Sequence, residues 1–193
     1  MDEEKTIVLS ADQIENCDDA KVQEVADINE LIHVIIAPHV DDEVIGCYDI
    51  LNNPKNKCII VYSDFDITAK RANEMLAVKN EFENIMMFYR AREIPQMMLD
   101  GKHLLHFPDP HFETHPDHKL IGNKGMELFH KGLPIFFYSV NMEAPYIYKV
   151  KDPGDKQGKM NMLFQSQKEM WAYEAKYYLF EGHCQYAPAS VWR

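Results

Sequence analysis

No apolar run in the chain approaches the roughly 20 residues that a membrane-crossing helix needs. Stretches such as Val34 to Ala37 and Ile135 to Phe137 end after a few positions, so no membrane span is expected. Positive charge is scarce as well: 31 acidic residues against 20 basic ones give a formal net charge of −11. Such a chain repels the phosphate backbone, which proteins bind through Lys and Arg that release counterions, so nucleic acid is set aside as a partner. Cysteine is sparse, and Cys17, Cys47, Cys58 and Cys184 form neither a C-x-x-C pair nor a disulfide framework. They read as small buried or half-buried thiols in a reducing, cytoplasmic setting. Met1-Asp2-Glu3-Glu4-Lys5 lacks the basic patch and apolar stretch of a secretory signal, so export is not expected either.

Hydrophobic residues make up 46% and charged residues 26%, close to the soluble globular average. A chain of 193 residues is long enough to bury one core, and no repeat, low-complexity tract or long linker divides it. Residues 1–193 therefore read as a single domain. Ser10 to Gln13 has capping-box spacing, and Ile14, Val22, Val25, Ile28 and Leu31 follow at intervals that predict a first helix. Ile32 to Ala37, Lys57 to Tyr62 and Ile85 to Tyr89 are short, mostly β-branched or apolar runs that predict buried strands, and Leu104 to Phe107 does so more weakly. Between them, Glu43 to Leu51 and Thr68 to Phe82 carry helical periodicity. Pro134 to Val140 and Tyr146 to Val150 predict later strands, Asp152 to Gly158 a polar loop, and Met160 to Phe180 a closing helix. Strands alternating with helices predict an α/β fold: three layers, with a mainly parallel, doubly wound (Rossmann-like) sheet and helices on both faces.

In open parallel sheets, ligands bind where loops leave the carboxyl ends of strands. Ile32 to Ala37 runs into Pro38-His39-Val40-Asp41-Asp42-Glu43, which sets an imidazole and three carboxylates before a helix. Taken alone, acidic residues there equally suit the positive end of a helix dipole. A second cluster follows Leu104 to Phe107: Asp109 to His118 holds three imidazoles and three carboxylates within ten residues. Catalytic zinc takes three protein ligands from His, Asp and Glu and keeps a fourth position for water, and the two loops together supply such a set. His111 and His115, four apart, would pair on a helix, but Pro108 and Pro110 oppose a helix before His115. His33, His103, His106, His130 and His183 show no partner spacing and read as structural or solvent-facing. Trp171, Tyr173, Tyr177 and Tyr178 suit packing of a last helix better than stacking on a sugar ring.

At these residues the chain resembles the LmbE-like (PIG-L) deacetylases, which include the N-acetylglucosaminyl-phosphatidylinositol de-N-acetylases and deacetylases of bacterial thiol biosynthesis. The first family motif stands here as Ala37-Pro38-His39-Val40-Asp41-Asp42-Glu43, the H-P-D-H motif as His115-Pro116-Asp117-His118, and an R-x-x-E helix as Arg71 to Glu74. The resemblance implies zinc, or another divalent metal, bound by His39, Asp42 and His118. It implies Asp41 as general base toward a metal-bound water and His115 as oxyanion stabiliser and proton donor to the leaving amine. Asp117 is implied as the group that orients the His115 ring, and Arg71 as a grip on a substrate hydroxyl or phosphate oxygen. The substrate would be a small N-acetylated molecule, an amino sugar or a relative. Tyr48-Asp49 stands where the family often has Gly-Gly, and Arg90 and Arg92 lie where a sugar-contacting carboxylate is usual, which would favour an anionic substrate group. A metal-dependent hydrolase of another bond and a metal-binding protein without turnover are the competing readings.

Overall fold

The computed structural model describes residues 31–63, 68–90, 99, 103–167 and 174–186. The first expected helix, from Ser10 through Leu31, lies outside these residues except for Leu31, which is not helical, and Arg92, Trp171 and Tyr173 lie outside them too.

Seven strands form one mixed, mostly parallel sheet: β1 (Ile32–Ala37), β2 (Lys57–Tyr62), β3 (Ile85–Arg90), β4 (His103–Pro108), β5 (Ile135–Tyr138), β6 (Ile147–Lys149) and β7 (Phe180–Cys184). Their order across the sheet is β3-β2-β1-β4-β5-β7-β6. The first five run parallel, while β7 pairs antiparallel with both β5 and β6. Side chains alternate between two cores: Val34, Ile36, Ile59, Val61, Leu105, Phe107 and Phe137 pack together in one, and Ile35, Ala37, Ile60, Tyr62 and Tyr138 in the other. Burial on both faces explains why β1 and β2 are near-continuous apolar runs, each fully buried Val, Ile or Leu contributing about 1.5–3 kcal/mol.

Among the described residues the α-helices are α1 (Asp42–Leu51), α2 (Ala69–Glu81), α3 (Pro116–His130), α4 (Pro153–Leu163) and the single turn α5 (Lys176–Leu179). Two expectations fail. Asp152 to Gly158 is not a loop: the Asp152 side chain accepts from the Asp155 N–H and caps α4, and Pro153 sits at the first turn, where its fixed φ suits a helix and its missing N–H costs nothing. Nor does a helix run from Met160 to Phe180. It ends at Leu163, Gln165–Gln167 is a 3₁₀ turn, and Phe180–Cys184 is the strand inserted between β5 and β6. Long-range pairing overrides local preference there, and the strand carries Glu181 to within 3.2 Å of the buried Lys156 ammonium. Cys47 and Cys58 are buried thiols and Cys184 is half-buried, as expected. Among the described residues no helix is long and apolar enough to cross a membrane.

Strand β1 has β2 on one edge and β4 on the other, so the loops that follow β1 and β4 leave the same end of the sheet side by side. Helix α3, which follows the β4 loop, is packed closely against it. A Cβ at Gly122 would lie 2.4 Å from the Pro108 carbonyl oxygen and 2.8 Å from the Pro110 ring. Gly122→Ala is therefore expected to push helix and loop apart and lower stability by about 1–3 kcal/mol. Chemical denaturation measures this, and an unchanged midpoint would count against the close approach.

The histidines His33, His106 and His183, without partners in the linear sequence, meet on one face of the sheet. His33 Nδ1 is 3.0 Å from His106 Nε2, Phe136 stacks on His106 at 5.3 Å between ring centroids, and His183 meets His106 edge-on at 5.9 Å. Burial, then the nearby His183 charge, depress His33 to about 4, and burial, His33 and His183 push His106 well below the usual range. A ring that charges in the unfolded chain near pH 6.5 but in the folded protein only near 4 leaves stability intact above pH 6.5 and erodes it as pH falls through that window. The buried carboxyls of Asp41 and Glu43, raised by burial, act in the opposite sense over part of the range. The expected result is thus a difference: relative to a His33→Gln variant, the wild type loses on the order of 2–3 kcal/mol between pH 7 and 4. Urea titrations at several pH values read it, and parallel pH profiles for the two proteins would refute it.

Candidate metal centre

Strand β1 stops at Pro38, and the chain must turn into α1 within four residues. It does so through Asp41, whose φ of 133° and ψ of −30° lie where a non-glycine residue is strained. Such a conformation costs on the order of 1–3 kcal/mol and persists when its surroundings over-determine it. Here the Asp41 N–H donates to Glu43 Oε2 at 2.9 Å, the Tyr62 hydroxyl donates to Glu43 Oε1 at 2.9 Å, and the Asp41 carbonyl accepts from Val44 and Ile45. Val40 and Val44, on either side, are anchored in the core. The kink gives the adjacent carboxylates different neighbours. Asp42 Oδ2 accepts from the His39 N–H at 2.8 Å and lies among imidazoles, whereas Asp41 Oδ2 lies 3.9 Å from Arg71 Nη1. Arg71 is braced at 3.3 Å by Glu74, one turn along α2, and Glu74 in turn accepts from Ser166.

The β4 loop is built as firmly. Asp109 is buried and accepts from the Tyr146 and Tyr186 hydroxyls, each at 2.6 Å, and from the His111 N–H. Glu113 is buried too, and its Oε1 accepts from the Val140 N–H at 2.6 Å. His115 caps α3: its Nδ1 accepts from the Asp117 N–H at 3.2 Å, which leaves the proton of the neutral ring on Nε2. His111 precedes the helix, so no helical His111–His115 pair forms.

The two loops meet. His39 Nδ1, His118 Nε2 and Asp42 Oδ2 form a nearly equilateral triangle with edges of 3.1, 3.2 and 3.3 Å. Tetrahedral zinc with ligands at about 2.0–2.1 Å separates its donors by about 3.3 Å, so these three atoms fit one face of such a site. His39, His115 and His118 also each offer a nitrogen within 4.8 Å of the others, a wider set that can hold a metal ion. Asp42 makes the tighter triangle, and the His115 side chain is half exposed with Nδ1 already engaged.

Charge follows the geometry. Burial disfavours the ionised Asp42 carboxyl, but the charges and hydrogen bonds of His118 and His39 outweigh it and hold Asp42 well below the usual carboxylate range. Burial likewise opposes charge on His118, yet Asp42 and Glu113 raise that ring to about 10, and Asp42 raises His39 in the same way. Burial and the Asp42 charge lift Asp41 well above its ordinary value, with Arg71 opposing, and burial lifts Glu43 to about 7. The two neighbouring carboxyls are thus shifted in opposite directions.

The sequence-predicted residues His39, Asp42 and His118 are thus in mutual contact, Asp41 and Arg71 adjoin them, and His115 stands at the rim. Asp117 adjoins both rings: its exposed carboxylate is 3.2 Å from His39 Nε2 and 3.8 Å from His115 Nδ1. The Asp117 backbone N–H, not the carboxylate, fixes the His115 tautomer. Sequence reasoning gave no role to Glu43 or Glu113. Their presence in the acidic clusters was the one signal, and their partners Tyr62 and Val140 lie 19 and 27 residues away. A scan against protein-family models finds no match for the chain, and a search of curated proteins finds no similar sequence.

Proposed function

We propose that the protein is a zinc-dependent N-deacetylase of the LmbE-like kind, built on a three-layer, Rossmann-like domain. It hydrolyses the acetamide of an N-acetylated amino sugar or related small molecule, in the cytoplasm, to acetate and a free amine. The observation that carries this reading is the His39–Asp42–His118 triangle beside an Asp41 carboxylate that takes no part in it. A divalent ion held there by His39, Asp42 and His118 would supply Lewis acidity, a water pKa lowered to about 7, and positive charge that favours the ionised form of Asp41. Asp41 accepts the proton of the attacking water, with Arg71 helping to keep the carboxylate charged. His115, half exposed at the rim, in its protonated form stabilises the oxyanion and passes that extra proton to the departing amine, returning to the neutral ring. Arg71 also reaches a substrate oxygen from the first turn of α2.

The test is metal analysis of the purified protein together with acetate detection over a panel of N-acetyl amino sugars and amines. Close to one divalent ion per chain and chelator-sensitive acetate release are expected. Bound metal without acetate from any compound would favour a hydrolase of another bond or a binding protein without turnover.

A further inference from the structure

We infer that Glu113 is a positioning residue that orients His118 and strengthens it as a metal donor; this rests on the metal-site reading above. His118 Nε2 is the atom at the triangle vertex, so its other nitrogen, Nδ1, carries the proton. That proton meets Glu113 Oε2 at 2.9 Å, where both side chains are buried. A ring locked at both nitrogens has neither tautomer nor rotation left to choose, and an anionic acceptor on Nδ1–H pushes electron density toward Nε2.

The acceptor is itself immobile. Its second oxygen, Oε1, takes the Val140 N–H at 2.6 Å and the Asn141 N–H at 3.5 Å, at the end of β5, and Asn141 Nδ2 returns a hydrogen bond of 2.6 Å to the Phe112 carbonyl. The exit of β5, the β4 loop and the first turn of α3 therefore set the direction of one imidazole jointly. His39 has a parallel arrangement that differs in solvent exposure. Its outward Nε2 meets Asp117 at 3.2 Å, but the Asp117 side chain is 60% exposed, against 1% for Glu113. Water competes for the first contact and not for the second, so Glu113 carries most of the effect.

Co(II) is the probe, because its visible absorption reports ligand field as well as occupancy. Wild type is expected to bind Co(II) with a tetrahedral-type spectrum. Glu113→Gln, which keeps the shape and removes the charge, is expected to bind about 10- to 100-fold more weakly with shifted bands, and Asp117→Asn to change affinity by less than about 3-fold. A purely structural Glu113 would alter the melting temperature of the metal-free protein and leave the Co(II) bands where they are. Should Glu113→Gln fail to fold, ¹H–¹⁵N spectra of the zinc-loaded wild type serve instead: a strongly downfield, protonated Nδ1 on His118 is expected, and an unprotonated Nδ1 overturns the inference. Wild type that binds no Co(II) removes the metal reading and this inference with it. Wild type and Glu113→Gln that bind identically remove this inference alone.

Discussion

Replacing Asp41 by Asn is expected to cut amide hydrolysis by about 100- to 10,000-fold, the usual range for loss of a general base, while bound metal stays at the wild-type level. Asp41 contributes no atom to the donor triangle, and the cation nearest its carboxylate among the described residues is Arg71 at 3.9 Å. An amide fills the same volume but has no lone pair basic enough to accept a proton from water. The backbone supports the same expectation: Asn has the shape of Asp and adds no strain of its own, so the turn at φ 133° survives the exchange and the hydrogen bond from residue 41 N–H to Glu43 is kept. Metal content by atomic spectroscopy, acetate release and a denaturation midpoint make up the measurement. Equal loss of metal and activity would refute the division of labour between neighbouring carboxylates.

That division was the question the sequence posed and left open. Adjacent residues in a strand point to opposite faces, and nothing in the letters Asp-Asp announces that the first adopts a positive φ. What was readable is what local chemistry decides. The β-branched run of β1 matches its observed bounds because both its faces are buried, whereas the helix that opens at Pro116 was not read from the sequence at all. What was not readable depends on register across the sheet. The meeting of His33 with His106 follows from β1 lying beside β4, and the grip of Glu113 on Val140 follows from β5 ending beside the β4 loop. Composition misled in one place: Pro153, Gly154 and Gly158 read as loop residues, yet the proline opens a helix whose inner face buries Lys156, Met160 and Leu163.

His118→Ala is expected to abolish tight metal binding, and it also discriminates between the two donor sets. At a free zinc concentration 100 times Kd, ligand binding adds about 2.7 kcal/mol to the folded state. For a domain of this size that corresponds to a rise in melting temperature of about 5–10 °C. Wild type should show this rise and His118→Ala should not. Without metal the variant should also be less stable than wild type, because removing the ring strips Asp42 and Glu113 of a buried partner, and an uncompensated buried charge costs roughly 3–5 kcal/mol. His115→Ala is the control. That ring is half exposed at the rim and lies outside the 3.1–3.3 Å triangle, so its loss should leave the zinc-dependent rise nearly whole while lowering turnover. A rise retained in His118→Ala would remove His118 from the site, and a rise lost in His115→Ala would replace Asp42 with the third imidazole. Either result would be read from melting curves alone, before any substrate is known.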